Sequence, residues 1–369
     1  MLKNTLSFIR SSYSSTAFSV KEKLKAKAWQ LHEYGDTSNL RLDYSRLPVI
    51  RKPNEVLVQV EAASVNPIDL YMLGGYGQTL FQIPRNFELE FPLILGRDFA
   101  GTVISTGHGV SKIKVGDPVY GFVPLHKPGS FAEVVLSDAC HLQSRPKHLS
   151  PVQGASLVYS SMTAWSALFL FGNLLLKQKE GIRVLILGAS GGVGTAAVQL
   201  LKSQNCVVYC TCAKDAVDLV YSLGSDCVFS YTDPDYEKNV ELETRYNIIL
   251  DCAKIGYDKI PATWQYDTYI TLNSPLLTNT DKQGLLAGLA VSARDFVKSN
   301  FDSCQKGSQV KWGFFVPSAD GFKFVHDLIS KEKIQPVIQK TFNFEQLPDA
   351  IKAVSEGHLR GKIAVDFNK

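Results

Sequence analysis

Residues 183–199 read RVLILGASGGVGTAAVQ, an apolar run that stops in glycines and resumes with helical spacing. Every residue of RVLIL except Arg183 is apolar, the pattern of a central parallel strand buried on both faces. Gly188, Gly191, Gly192 and Gly194 then remove side chains where a backbone must turn tightly and approach a ligand. The helix expected next turns Val193, Ala196, Ala197, Leu200 and Leu201 toward the sheet. Its first N–H groups have no partner within the helix, and with the helix dipole they form an anion site that a pyrophosphate fits. The spacing is G-x-x-G-G-x-G rather than G-x-G-x-x-G. Its place between a strand and a helix is the context that a dinucleotide-binding turn requires.

Outward from this turn, RVLILG, CVVYCTC, CVFSY, YNIILDC, TYITLNS and VKWGFF are short β-rich runs, most of them separated by helical segments such as VGTAAVQLLKSQ and AVDLVYSLG. That alternation predicts a parallel sheet with helices on both faces. NAD-selective sites place a carboxylate about 20 residues past the first glycine, where it binds the ribose 2′-hydroxyl. Here Val208 to Lys214 contain none before Asp215, which permits a 2′-phosphate and favours NADPH over NADH. Lys214 either supplies charge to that phosphate or is a solvated turn lysine, and Tyr231 supplies a hydroxyl. Upstream, residues from about 25 to 155 read as β-rich, with VLVQVEAASV alternating and turn residues recurring. Downstream, FKFVHDLISKEK reads as a helix and KIAVDF as a closing strand. The VKWGFF edge either pairs across a homodimer or stays within one subunit.

The chain has 369 residues, 45% apolar and 20% charged, enough for two globular domains. Its net charge of +4, from 39 basic and 35 acidic residues without a long basic run, lacks the footprint of a nucleic-acid binder and favours a small-molecule function. The seven cysteines form no compact framework, so reduced thiols are expected. Cys206, Cys210 and Cys212 share one side of the pleat as small core residues rather than metal ligands. The opening MLKNTLSFIRSSYSSTAFSV carries Lys3 and Arg10, many serines and no acid before Glu22, the pattern of a mitochondrial transit segment. No stretch of about 20 uninterrupted apolar residues predicts a membrane span.

The motifs VNPID at 65–69, LGRDFAG at 95–101, KVGDPVYGF at 114–122, GSFAEVV at 129–135 and TAW at 163–165, followed by the glycine turn, resemble the medium-chain dehydrogenase/reductase superfamily. Zinc alcohol dehydrogenases of that superfamily carry a cysteine ligand in the first motif and Gly-His-Glu in the second, where this chain has Asn66 and Gly96-Arg97-Asp98. A guanidinium cannot ligate Zn²⁺. The resemblance is therefore to the zinc-free quinone oxidoreductase branch. It implies a transit segment at 1–24, a GroES-like catalytic domain at 25–155, an NADP-binding Rossmann domain at 156–315 and a C-terminal return to the catalytic domain at 316–369.

The same resemblance implies NADPH as cofactor, a quinone-type acceptor linked to ubiquinone metabolism in the mitochondrial matrix, and a mitochondrial or reticulon-type protein partner. It places Ser190, Gly192 and Val193 on the diphosphate, and Ala213 and Tyr231 by the 2′-phosphate. Leu272, His358, Leu359 and Gly361 would lie near the nicotinamide end, and Asn66, Asp69, Tyr76 and Thr163 would line the acceptor cleft. Leu73 departs from a common arginine, Ala213 from a phosphate-binding serine, and DCAKIG at 251–256 from paired glycines. Hydride transfer from a nicotinamide needs no metal or covalent nucleophile, only placement and stabilisation of developing charge. Asn66 and Tyr76 are the candidates for holding the acceptor and Thr163 for orienting the nicotinamide; each has a plain structural alternative, Asn66 as a turn before Pro67 and Tyr76 as a half-buried aromatic. Two other functions fit the same residues: an enoyl-thioester reductase with Tyr71 or Tyr76 as acid, and an interaction protein that keeps NADPH without turnover.

Overall fold

The computed structural model describes residues 25–85, 89–176, 180–243, 245–305 and 307–368. The transit-like segment 1–24 lies outside the described residues. The glycine turn follows the first strand of a six-stranded sheet whose spatial order is Cys227–Ser230, Val207–Cys212, Arg183–Leu187, Tyr246–Asp251, Tyr266–Thr271 and Gln309–Trp312. All its pairings are parallel. In chain order this is 3-2-1-4-5-6, the doubly wound dinucleotide-binding arrangement, and the crevice where the order reverses opens beside Arg183–Leu187. Val184, Leu185, Ile186 and Leu187 are all fully buried. Each contributes about 1.5–3 kcal/mol of burial, which is why the strand carries no polar face. Cys206, Cys210 and Cys212 lie in the same core as expected.

The other domain is built on a seven-stranded sheet, ordered Ile338–Asn343, Lys362–Asp366, Glu55–Val65, Asp98–Thr106, Pro118–Phe122 and Leu142–Ser144, with Val134–Asp138 also pairing Glu55–Val65. The last strand inserts antiparallel to Glu55–Val65, Ile363 facing Val65, so the chain's end returns to the first domain. VKWGFF is a strand only over Gln309–Trp312, at the edge of the parallel sheet.

Between the domains runs the helix Pro151–Trp165, which continues as a π-turn through Phe171. Ser150 and Gln153 close a reciprocal capping box and Pro151 occupies the first turn, so its start is strongly specified. Small residues, among them Gly154, Ala155, Ser156, Ser160 and Ser161, let it pack against Glu55–Val65 and Asp98–Thr106 on one side and the helix Gly192–Lys202 on the other. By length and composition Pro151–Phe171 would pass for a membrane span, yet 83% of its most apolar window is buried in the fold. A helix buried on every side has no amphipathic stripe, so periodicity does not reveal it. The division drawn at 155/156 falls inside this helix.

Candidate active site

Two walls meet at the crevice. On the nucleotide side, Gly191 is the N-cap of the helix Gly192–Lys202 and no side chain caps that end. The turn is tied to the second strand by Gly188 N–H and Ala189 N–H, which donate to the Thr211 carbonyl at 3.1 and 2.9 Å. A Cβ at Gly194 would come within 2.5 Å of the Gly188 carbonyl oxygen, so packing of the turn demands glycine there. At Gly191 the nearest atom would be that same oxygen at 3.7 Å, an ordinary contact. The fold itself leaves room for a side chain at 191, and the amides of Gly192, Val193 and Gly194 open the helix with no partner within it. These groups fit a dinucleotide diphosphate.

Ser190 is buried, and its carbonyl accepts the Gly361 amide at 2.7 Å, so the run GHLRGK crosses the glycine turn. Arg360 in that run grips Asp215 in a two-pronged ion pair, Nη2 lying 2.8 Å from each carboxylate oxygen. Asp215 follows Ala213 and Lys214 at the end of the second strand, where Tyr231 N–H donates to the Cys212 carbonyl at 3.1 Å. Ala213 is buried, while Lys214 and Tyr231 are exposed. The Arg360 guanidinium holds the Asp215 carboxyl below its usual range, mainly by hydrogen bonding. His358 is exposed with φ +51° and Leu359 is partly buried. The structure thus brings Gly361 to the glycine turn and Arg360 to the end of the second strand, while Leu272 sits at the end of the fifth strand, its amide donating to the Asp251 carbonyl at 3.4 Å.

On the opposite wall, Asn66 and Asp98 are joined in a buried polar chain. Asn66 Nδ2 donates to Asp98 Oδ2 at 3.1 Å, Asp98 accepts from the Ser64 amide at 3.0 Å and from the Ser64 hydroxyl at 2.8 Å, and Lys362 Nζ donates to Asn66 Oδ1 and to the Val65 carbonyl. Burial raises the Asp98 pKa, opposed by Lys362, and lowers that of Lys362, opposed by Asp98 and Asp69. Lys362 also reaches across to the other wall: a Cβ on Gly192 would lie 2.8 Å from its Cδ.

Asp69 stands one helical turn on, in Pro67–Leu73. Its oxygens accept the Asn66 and Gly96 amides, each at 2.9 Å. Burial pushes its pKa up to about 6 against the pull of Arg97, whose Nε is 3.8 Å away. Arg97 itself turns from the cleft and donates to the carbonyls of Ile94, Pro124 and Lys127. This donor set does not fit a catalytic zinc: the amide is committed to Asp98 and Lys362, and the guanidinium is cationic. Among the described residues no group of three or more His, Cys, Asp or Glu side chains converges as a metal site.

Tyr76 is half-buried in a loop fixed from the nucleotide domain, where Asp281 accepts the Gly77 and Thr79 amides at 2.6 and 3.0 Å. Burial raises its pKa and Asp281 adds to the rise. The Thr163 hydroxyl is bonded to the Tyr159 carbonyl at 2.7 Å. Tyr159, which sequence reasoning passed over, stacks on Phe315 at 4.4 Å and couples electrostatically to Asp69, Arg97, Asp98 and Tyr76. Its place one turn before Thr163 on the central helix was the available signal. Lys362 and Arg360 were missed as well, although both lie in the run GHLRGK. Nothing local says that a lysine in a closing strand is buried.

A cleft between a doubly wound nucleotide domain and a GroES-like domain, lined by residues that do not fit a catalytic zinc, defines a two-domain dinucleotide-dependent oxidoreductase fold, and the family models agree. Residues 52–147 match the alcohol dehydrogenase GroES-like domain and residues 223–365 the zinc-binding dehydrogenase model. The chain is 26% identical to the quinone oxidoreductase from Coxiella burnetii, with a TM-score of 0.73 over 93% of this chain and 99% of that one. It is 43% identical to the Drosophila melanogaster protein named NAD(P)H oxidoreductase RTN4IP1, mitochondrial, over 94% of this chain and 87% of that protein. It is 35% identical to the Caenorhabditis elegans protein named reticulon-4-interacting protein 1, mitochondrial, over 93% and 95%. The chain belongs to the medium-chain dehydrogenase/reductase superfamily and, within it, to the family of these mitochondrial proteins.

Proposed function

We propose that the chain is an NADPH-dependent reductase that passes hydride to a quinone-type acceptor in the mitochondrial matrix, in the service of ubiquinone metabolism. The observation that carries this reading is the pairing of an uncapped, glycine-lined helix terminus with an acceptor wall whose polar groups are locked among themselves and offer no metal donors. The nicotinamide supplies the hydride; the protein supplies position and a field. Neutralisation of Asp215 by Arg360 removes the carboxylate that opposes a 2′-phosphate, and Lys214 adds positive charge beside it. Tyr76 and Tyr159 present phenols for the oxygen that gains charge, while Asn66 sets the wall behind them. The quinone oxidoreductase among the structural neighbours and the mitochondrial names of the relatives support acceptor class and compartment. A reticulon-type partner rests on a relative's name.

The test is purification without added cofactor, identification of the bound nucleotide, and oxidation of NADPH by a series of quinones, with crotonyl thioester as the competing acceptor. Quinone-dependent NADPH consumption is expected. Reduction of the thioester alone, or no turnover with any acceptor, overturns the reading. In single-turnover work Tyr76→Phe should slow hydride transfer to a small quinone about tenfold, the scale of one lost charge-assisted hydrogen bond.

A further inference from the structure

The turn DCAKIG departs from paired glycines, and its geometry is unusual. Asp251 organises it: the carboxylate accepts the Ala253, Ile255 and Gly256 amides at 3.0, 3.2 and 3.0 Å and the Tyr269 hydroxyl at 2.8 Å. Over this rigid base Lys254 is held at φ +60°, a left-handed conformation that side-chain-bearing residues seldom adopt. Ala253 lies against the glycine turn, its Cβ 3.0 Å from where a Cβ on Gly188 would be, so Lys254 stands at the carboxyl end of the sheet beside the dinucleotide crevice. From there its ammonium crosses to the other domain and sits 4.6 Å from the centre of the Tyr71 ring, which in turn is 5.5 Å from that of Tyr76. The side chain is accessible, burial lowers its pKa, and among the described residues it forms no ion pair with a carboxylate. Lys254 also borders a separate hollow of about 420 Å³ shared with Asp258, Asn273, Pro275, Asp295 and Trp312, which neither Tyr71 nor Tyr76 lines.

A lysine on left-handed backbone, where glycine would avoid the cost, whose ammonium is laid across a cleft onto aromatic rings calls for a reason beyond the turn itself. We propose that Lys254 is an acceptor-binding residue: its ammonium takes the carbonyl oxygen of a planar, quinone-type ligand flanked by Tyr71 and Tyr76, and holds the anionic form more tightly than the neutral one. This rests on the quinone reading above.

The test uses the full chain loaded with oxidised dinucleotide, which prevents turnover, and a hydroxynaphthoquinone that is anionic at neutral pH, with binding read by calorimetry. Lys254→Met should weaken binding by about tenfold or more, the range of a lost charge-assisted bond, while Lys254→Arg retains most of it. Lys254→Gly relieves the φ strain, so its melting temperature should hold or rise while binding falls; a purely structural lysine gives the opposite order. Binding by Lys254→Met within twofold of the parent, equal loss in the Met and Arg variants, or no binding by the parent overturns the assignment. Absence of NADPH turnover alongside intact, Lys254-dependent binding would sink the reductase reading and leave this site standing.

Discussion

Asp98 has no solvent contact, and its charge is offset by Lys362 through Asn66. Removing one member of such a buried set leaves the other unpaired. Lys362→Met should therefore cost about 3–5 kcal/mol in denaturant unfolding, and adding Asp98→Asn should recover part of it, a pairing that a double-mutant cycle measures. Asp69 behaves differently. Its folded pKa of about 6 lies above the ordinary 3.8, so between those values the folded chain holds a proton that the unfolded chain has released. That contribution to stability is full below the lower value and is lost as pH rises through the upper. Melting temperatures of the parent and Asp69→Asn should show the parent's relative stability falling from pH 4 to 6 and flat above; a flat difference throughout would mean that Asp69 is ionised across the range. At this scale the sequence is only partly legible. Asn66, Asp69 and Tyr76 stand out by motif, but Lys362, Arg360 and Tyr159 matter through neighbours remote in the chain, such as Lys362 and Asn66, which no local pattern can announce.

The glycine turn is the element whose physics is most local, and it was readable residue by residue because strand, turn and helix each carry their own signal. It separates two kinds of glycine. Gly194→Ala drives a Cβ to within 2.5 Å of a backbone oxygen and should destabilise the fold by about 2 kcal/mol or more. Gly191→Ala meets only an ordinary contact at 3.7 Å, so it should fold and melt like the parent yet lose the rise in melting temperature that NADPH gives. Thermal shifts with and without dinucleotide compare the two; an unchanged NADPH shift in Gly191→Ala would remove the diphosphate from this turn. The central helix Pro151–Trp165 is the contrary case. Its capping box is a clear start signal, Ser150 to Gln153, but apolar and small residues on every face erase the period that identifies a helix.

In the whole molecule, the C-terminal return binds the two domains at the crevice. Gly361 closes on Ser190, Lys362 reaches Asn66, and Arg360 holds Asp215, so one short run touches the glycine turn, the Asn66–Asp98 wall and the end of the second strand. The two-domain architecture followed from a parallel-sheet rhythm flanked by β-rich sequence, but this convergence is a product of topology, because Lys362–Asp366 becomes a neighbour of Glu55–Val65 only once the sheet closes. A consequence falls on cofactor choice. With Arg360 in place the Asp215 carboxylate is neutralised, and on the proposed reading a 2′-phosphate would meet Lys214 and that guanidinium. Arg360→Gln frees that carboxylate to repel the phosphate while leaving an unphosphorylated ribose little affected. NADPH affinity should then fall about five- to tenfold relative to NADH, with the gap narrowing at high salt because the site is exposed. Asp215→Asn, which removes the repelling group instead, should leave NADPH binding at or above the parent's. Titration of both dinucleotides at low and high ionic strength checks this, and equal weakening of NADPH and NADH in Arg360→Gln would show that the arginine braces the domains without selecting the cofactor.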